Sequence, residues 1–204
     1  MTLDFGRNQL AVDLSEIRPA IQPSEVMRSE RNLIENNNLS CYLKNVPEKL
    51  KSLEEVSAIA AMARAEGRTV VFTNGCFDLL HRGHVHTLRQ AKAAGDILIV
   101  AINSDRSVKS IKAPQRPILP ETDRLELIAA MEMVDYVILF DEPDPYRLIA
   151  AIKPHVLAKG GDWKSDEIIG ADIVEASGGR VEVIPYLQGF STTEIIERIK
   201  NLDG

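Results

Sequence analysis

Two histidines three residues apart carry the clearest chemical signal in the sequence. His81 and His84 follow an apolar segment, residues 69–73, that ends in Asn74-Gly75. The β-branched run predicts a buried strand ending at a tight turn, and the residues from Gly83 onward predict the start of a helix. A helix N-terminus favours a phosphate, because its N–H groups are free and its dipole is positive there. We therefore predict an anion site in which both imidazoles face the same space, with Gly83 leaving room for a ligand.

A local cluster of cationic residues points to the same kind of ligand. The formal net charge of the chain is -6, which argues against nucleic acid or an anionic membrane as a partner. Within this acidic chain, a short stretch is rich in basic side chains: Arg106, Lys109, Lys112, Arg116 and Arg124. We expect residues 106–120 to form a Pro-punctuated loop outside the core. Lys109 and Lys112 either bind a small polyanion there or are solvated surface charges.

Three further turns carry polar residues at the predicted ends of strands or the starts of helices. Asp105 follows the second predicted strand, and Lys159-Gly-Gly-Asp162 follows the fourth. Ser191-Thr-Thr-Glu194 fits a helix capping box. Open α/β sheets place ligand-binding groups at the carboxyl ends of their strands, so we expect these turns to converge with the histidines. The simpler alternatives are a plain Gly turn for 159–162 and helix capping alone for Ser191 and Thr192.

The alternation of apolar segments with amphipathic ones predicts the fold. We expect an α/β domain over residues 47–204, built as a Rossmann-like five-stranded parallel sheet with helices on both faces. Its predicted strands are residues 69–75, 97–102, 134–140, 156–158 and 180–184. Its predicted helices open at Pro47, at Gly83, at Leu125, at Asp144, at Ile168 and after Ser191. The sequence lacks a Gly-x-Gly-x-x-Gly run, which argues against a dinucleotide oxidoreductase.

Residues 1–46 contain no sequence motif that indicates a chemical function. We expect an N-terminal extension that is helical or partly disordered, because its periodicity is weak and it is rich in Asn and Pro. The chain has two cysteines and no signal-peptide pattern, so we expect a cytoplasmic protein.

The segment Thr73-Asn-Gly-Cys-Phe-Asp-Leu-Leu-His-Arg-Gly-His84 resembles the first motif of the cytidylyltransferase-like nucleotidyltransferases. Later stretches fall in the order that this family shows: residues 100–105, Arg116-Pro117, Val134-Asp135, residues 159–162 and residues 191–193. The resemblance covers about residues 67 to 200. It implies transfer of a nucleotidyl group from a nucleoside triphosphate bound with Mg2+, and a homodimer is expected.

The resemblance also implies three sets of site residues. The catalytic set is His81, His84 and Lys109. The nucleotide-binding set is Thr73, Asn74, Gly75, Phe77, Gly83, Lys112, Arg124, Ser191, Thr192 and Thr193. The substrate-binding set is Asp105, Lys159, Gly160, Gly161 and Asp162.

Within the family, the resemblance is strongest to sugar-phosphate adenylyltransferases that make ADP-heptose. It therefore implies ATP and a sugar 1-phosphate as substrates, with D-glycero-β-D-manno-heptose 1-phosphate as the expected sugar. The cytidylyltransferase version of the family has an Arg upstream of its Ser-Thr-Thr turn, and residues 186–193 lack it, which disfavours CTP. Two alternatives stay open: a CTP-dependent enzyme acting on an alditol or other sugar phosphate, and a non-catalytic nucleotide-binding protein.

Overall fold

The computed structural model describes residues 48–113, 115–161 and 167–203. Within these ranges the strands are β1 (Val70–Gly75), β2 (Ile97–Asn103), β3 (Tyr136–Phe140), β4 (Val156–Gly160) and β5 (Arg180–Ile184). The helices are α1 (Leu53–Ala65), α2 (Arg82–Ala93), α3 (Asp105–Ile111), α4 (Glu121–Ala129), α5 (Tyr146–Ile152), α6 (Ala171–Ala176) and α7 (Thr192–Lys200). A short 3-10 helix, Asn201–Asp203, follows α7.

The strands form one sheet in the order β3-β2-β1-β4-β5, and every pairing is parallel. The chain moves outward from β1 through β2 to β3 and then returns to place β4 on the other side of β1. This reversal leaves a crevice at the carboxyl ends of β1 and β4, where open α/β sheets bind ligands. The predicted five-stranded parallel sheet is confirmed.

Each face of the sheet packs against its own helices. Phe72 and Leu157 belong to an apolar cluster that includes residues of α1, α5 and α6. Val71 and Val156, one residue earlier on the same strands, belong to a second cluster with residues of α2 and α4. Successive side chains of a strand point to opposite faces, so β1 and β4 supply both clusters. The predicted helices on both faces are confirmed.

The prediction of a loop over residues 106–120 is wrong for its first half, which forms most of α3. Ser104 caps this helix, its Oγ accepting from the Ser107 N–H at 3.0 Å. Ser107 and Val108 are buried. Ser107 Oγ bonds to the Asn103 side chain and the Glu142 carbonyl. The segment therefore docks partly through polar contacts that hydrophobic periodicity does not reveal.

Several predicted boundaries also move. The first helix starts at Leu53, after a capping box of Ser52 and Glu55, rather than at Pro47. Pro120 precedes α4, which therefore starts four residues before Leu125. The third strand starts two residues after Val134. A left-handed Gly170 delays α6 to Ala171.

The predicted extension, residues 1–46, lies outside the described residues. No helix in the described ranges is long and apolar enough to cross a membrane.

Candidate active site

His81 is the N-cap of α2. Its Nδ1 accepts a hydrogen bond from the Gly83 N–H at 3.1 Å. An imidazole nitrogen that accepts carries no proton, so the proton of the neutral ring lies on Nε2, which is left as a donor. Burial lowers the pKa of His81, although Glu194 opposes this. His81 is therefore a neutral hydrogen-bond donor at neutral pH.

His84 lies one turn into α2, and its ring stacks on that of His81. The ring centroids are 3.9 Å apart, and the centroid of the Phe77 ring lies 5.4 Å from that of His84. Burial, followed by the neighbouring His81, lowers the pKa of His84 to about 4, against a raising effect of Asp78. Nδ1 of His84 is buried and has no hydrogen-bond partner in the described part of the chain. The pair therefore offers neutral polar groups to a ligand.

Two glycines let this cluster pack. A Cβ on Gly83 would lie 2.9 Å from both Cε1 and Nδ1 of His81 and 3.1 Å from the Phe190 carbonyl oxygen. A Cβ on Gly75 would lie 3.2 Å from the Phe77 ring. Any larger residue at 83 would push the His81 ring away from the helix end. Gly83 thus positions the ring of His81, which is a catalytic candidate. The prediction was only that Gly83 leaves room for a ligand.

Asp78 is a structurally central residue that none of the predicted sets includes. Its buried carboxylate pairs with the Arg116 guanidinium and accepts from the N–H groups of Ile118 and Leu119 at 2.9 to 3.0 Å. Burial alone would raise the pKa of Asp78, but these donors lower it overall. The flanking residues Phe77 and Leu79 both have φ of 49°, a backbone state that costs about 1–2 kcal/mol for a non-glycine residue. Asp78 thus fixes residues 116–119 beside the histidines.

Arg124 joins the ends of β1 and β2. Its side chain is fully buried, and Nη1 donates to the carbonyls of Cys76 at 2.6 Å and Asn103 at 2.8 Å. Nε donates to the Leu119 carbonyl, and Nη2 pairs with Asp105 at 2.7 Å. Four of the five guanidinium N–H groups thus have protein acceptors. The structure brings Asp105 and Arg124 together as an ion pair, and their predicted contacts with ligands stay predictions.

The N-terminus of α7 meets that of α2. Ser191 caps α7, its Oγ accepting from the Glu194 N–H at 3.1 Å. Thr192 Oγ1 donates to the Asp78 carbonyl at 2.7 Å. The Arg82 guanidinium lies 5.5 Å from the centre of the Phe190 ring, while Thr193 is exposed. Two helix N-termini therefore open onto one place, which strengthens its attraction for phosphate.

The predicted residues of β1 and β4 meet at the crevice between these strands. Lys159 Nζ donates to Asn74 Oδ1 at 3.1 Å, and Thr73 is buried beside Asn74. A Cβ on Gly160 would lie 3.1 Å from the Thr87 side chain. The Gly161 N–H donates to the Ile184 carbonyl at 2.9 Å. Asp162 lies outside the described residues, so its predicted role stays a prediction.

The two lysines of the basic segment differ in their surroundings. Both side chains are exposed at the end of α3. Lys112 is close enough to influence the pKa values of both Cys76 and Lys159. Lys109 makes no contact with the histidines among the described residues. The structure thus brings Lys112 close to Cys76 and Lys159, and the predicted catalytic role of Lys109 stays a prediction.

Comparison with known proteins shows which family the chain is similar to. The family model described as cytidylyltransferase-like matches residues 72–198, which is more than half of the chain. The "Bifunctional protein HldE" of Trichlorobacter lovleyi is 53% identical over 151 residues, covering 74% of this chain and 31% of that protein. The protein of the same name from Geobacter metallireducens is 48% identical over 156 residues, covering 76% and 32%.

Among solved structures, a lipopolysaccharide core biosynthesis protein from Thermoplasma volcanium is similar at 30% identity. The match covers 59% of this chain and 98% of that one, with a TM-score of 0.48. The present chain spans about a third of the length of the curated relatives it matches. The predicted resemblance is confirmed, and the chain belongs to the cytidylyltransferase-like family.

Proposed function

We propose that this chain is a nucleotidyltransferase that joins AMP from ATP to a sugar 1-phosphate, releasing pyrophosphate. The observation that carries the proposal is the meeting of two helix N-termini around the neutral His81–His84 pair. A phosphate oxygen of the sugar 1-phosphate attacks the α-phosphorus of ATP. The bond from the α-phosphorus to the bridging oxygen of the β-phosphate breaks, and pyrophosphate leaves with that electron pair. The product is an ADP-sugar.

The residues of the site act by holding and neutralising phosphate charge. His81 donates from Nε2, and the Ser191–Thr193 turn donates backbone and hydroxyl groups to the same triphosphate. Neutral imidazoles stabilise charge that develops in the transition state without adding the permanent attraction of a cation. Lys109 and Lys112 extend from α3 as cations for the β- and γ-phosphates.

Mg2+ is proposed to arrive with ATP. In the described ranges, no group of three or more His, Cys, Asp or Glu side chains could hold a metal ion. Mg2+ that is bound chiefly by phosphate oxygens and water, as is usual for this ion, does not need a group of this kind. When bound, it neutralises part of the triphosphate charge.

The choice of ATP and heptose 1-phosphate rests on resemblance rather than on geometry. It is supported by the motif of residues 73–84, by Lys159-Gly-Gly-Asp162 and by the missing Arg upstream of Ser191. Similarity to proteins named HldE is compatible with it. The roles assigned to the three residue sets, a cytoplasmic location and a homodimer remain predictions.

A pyrophosphate-release assay tests this proposal. The chain is incubated with Mg2+, each of the four nucleoside triphosphates, and a panel of sugar 1-phosphates and alditol phosphates. We expect release with ATP and D-glycero-β-D-manno-heptose 1-phosphate above all other pairs. Preference for CTP with an alditol or other sugar phosphate would replace the proposal with the cytidylyltransferase alternative. Nucleotide binding without any release would favour the non-catalytic alternative.

A further inference from the structure

The ammonium group of Lys159 lies half-buried at the crevice of the sheet. Lys159 Nζ donates to the neutral amide oxygen of Asn74. No ion pair joins Lys159 to a carboxylate within the described part of the chain. Removing a cation from water costs free energy unless an anion compensates. Burial accordingly lowers the pKa of Lys159. Among the described residues no carboxylate supplies the counter-charge of this cation, which points to an anionic ligand group.

The position of this cation on the sheet is defined by the alternation of side chains. Asn74 lies two residues after Phe72, and Lys159 lies two residues after Leu157. Phe72 and Leu157 belong to the cluster on the α1, α5 and α6 side. Side chains two residues apart on a strand share a face, so Asn74 and Lys159 leave the sheet on that side.

The histidine pair lies on the other side of the same edge. Helix α2, which carries both imidazoles, packs its Leu88 and Ala91 into the cluster on the α2 and α4 side. Phe77, whose ring approaches His84, belongs to that cluster as well. Two sets of anion-binding groups thus flank the carboxyl end of β1, one from each face of the sheet.

Nucleotidyl transfer requires binding groups on two opposite sides of the phosphorus that is transferred. The attacking and leaving oxygens lie roughly in line on opposite sides of the phosphorus that is transferred. If the two helix N-termini and the histidines hold the departing pyrophosphate, the attacking phosphate must approach from the opposite side. The cation on that side would offset the repulsion between the incoming phosphate and the triphosphate.

We propose that Lys159, held by Asn74, binds the phosphate of the acceptor substrate and so selects phosphomonoesters as acceptors. This inference rests on the proposed function and deepens it, because it assigns to Lys159 one specific part of the acceptor, its phosphate group. It predicts that an acceptor without a phosphate does not bind productively. It also predicts that Asn74 positions Lys159 and that a carboxylate placed at 74 would compete with the ligand.

Equilibrium binding separates this role from nucleotide binding. Calorimetry on the full chain would measure four probes: D-glycero-β-D-manno-heptose 1-phosphate, mannose 1-phosphate, inorganic phosphate, and a non-hydrolysable ATP analogue with Mg2+. The variants are Lys159→Met, which removes the charge, and Asn74→Asp, which gives Lys159 an internal partner. Lys51→Met is the control, because Lys51 lies partly exposed in a long 3.8 Å pair with Glu55.

Both variants at the crevice are expected to weaken binding of the three phosphate probes roughly 10- to 100-fold, the scale of one charge-assisted hydrogen bond. Binding of the ATP analogue to Lys159→Met should stay within about twofold, as should every probe in the control. Thermal unfolding of ligand-free Lys159→Met should occur at an unchanged or higher temperature, because the variant removes a partly buried charge that has no carboxylate partner in the ranges that the structure describes.

Three results would overturn the inference. The first is loss of ATP-analogue affinity with phosphate binding intact, which would place Lys159 on the nucleotide. The second is no phosphate binding by the wild-type chain, or phosphate binding that neither variant weakens. The third is a Lys159→Met chain that unfolds earlier or fails to fold, which would make the lysine a structural residue. If mannose 1-phosphate and inorganic phosphate bind through Lys159 but heptose 1-phosphate does not, the inference stands and the proposed heptose substrate fails.

Discussion

Substitution of His81 should separate its capping role, which the structure shows, from the phosphate-binding role that we propose for it. Nδ1 caps α2 by accepting from the Gly83 N–H, while Nε2 is left to donate to phosphate. His81→Ala removes both functions. His81→Asn keeps a good N-cap acceptor but removes the imidazole donor. The pair of variants therefore distinguishes stability from catalysis at a single position.

The magnitudes follow from these two contacts. Loss of an N-cap side chain lowers the free energy of unfolding by about 0.5–2 kcal/mol, so His81→Ala should unfold roughly 2–4 °C earlier per kcal/mol lost in a chain of this size. His81→Asn should unfold close to the wild-type temperature. Loss of one preorganised donor costs roughly 100- to 1,000-fold in turnover, and both variants should show it.

The assay combines calorimetric unfolding with steady-state pyrophosphate release, and pH supplies a third readout. Because the pKa of His81 in the folded state lies below its ordinary value of 6.5, its neutral form is the one that folding favours. The capping contribution is therefore fully present above the unfolded pKa and is lost as pH falls from there through the lowered folded pKa. Wild-type turnover in His81→Asn, or wild-type stability in His81→Ala, would refute the dual role.

Further predictions follow from the neighbouring contacts. Asp78→Asn should lower the free energy of unfolding by about 3 kcal/mol in urea titration, because it breaks a buried pair with Arg116; an unchanged midpoint would count against the anchoring role of Asp78. Gly83→Ala should lower turnover roughly 100-fold by displacing the His81 ring; a variant as active as wild type would show that the ring tolerates a neighbouring Cβ. Because His84 has a pKa of about 4, kcat/KM for ATP should not fall between about pH 6.5 and about pH 8; a fall centred near the ordinary imidazole pKa would mean that the histidines act as cations.

The parts of the fold that rest on local patterns could be predicted from the sequence. The apolar runs that begin β1 and β2 were found because their residues are apolar without interruption and mostly buried. Ser191 was found as a cap because the capping signal lies within four residues. Helix α3 was missed because its buried side includes Ser107, whose partners are polar. Hydrophobic periodicity cannot detect a helix that docks in this way.

The site could be predicted only where one segment supplies it. His81 caps α2 and His84 lies in its first turn, so their spacing was informative. Asp78 receives its partners from residues 38 to 41 positions later, and no local pattern reveals such a pairing. Arg124 is fully buried although arginine is usually exposed. Its anchoring of the β1 and β2 ends became visible only from the fold.

The central claim is that AMP, and not a phosphoryl group, is transferred. The most direct measurement follows the fate of label from ATP in the presence of Mg2+ and D-glycero-β-D-manno-heptose 1-phosphate. ATP labelled in its adenine should deliver that label into a nucleotide sugar, and ATP labelled in its γ-phosphate should deliver label only into pyrophosphate. Appearance of the γ-label on the sugar would contradict the account, because it would mean that the chain acts as a kinase.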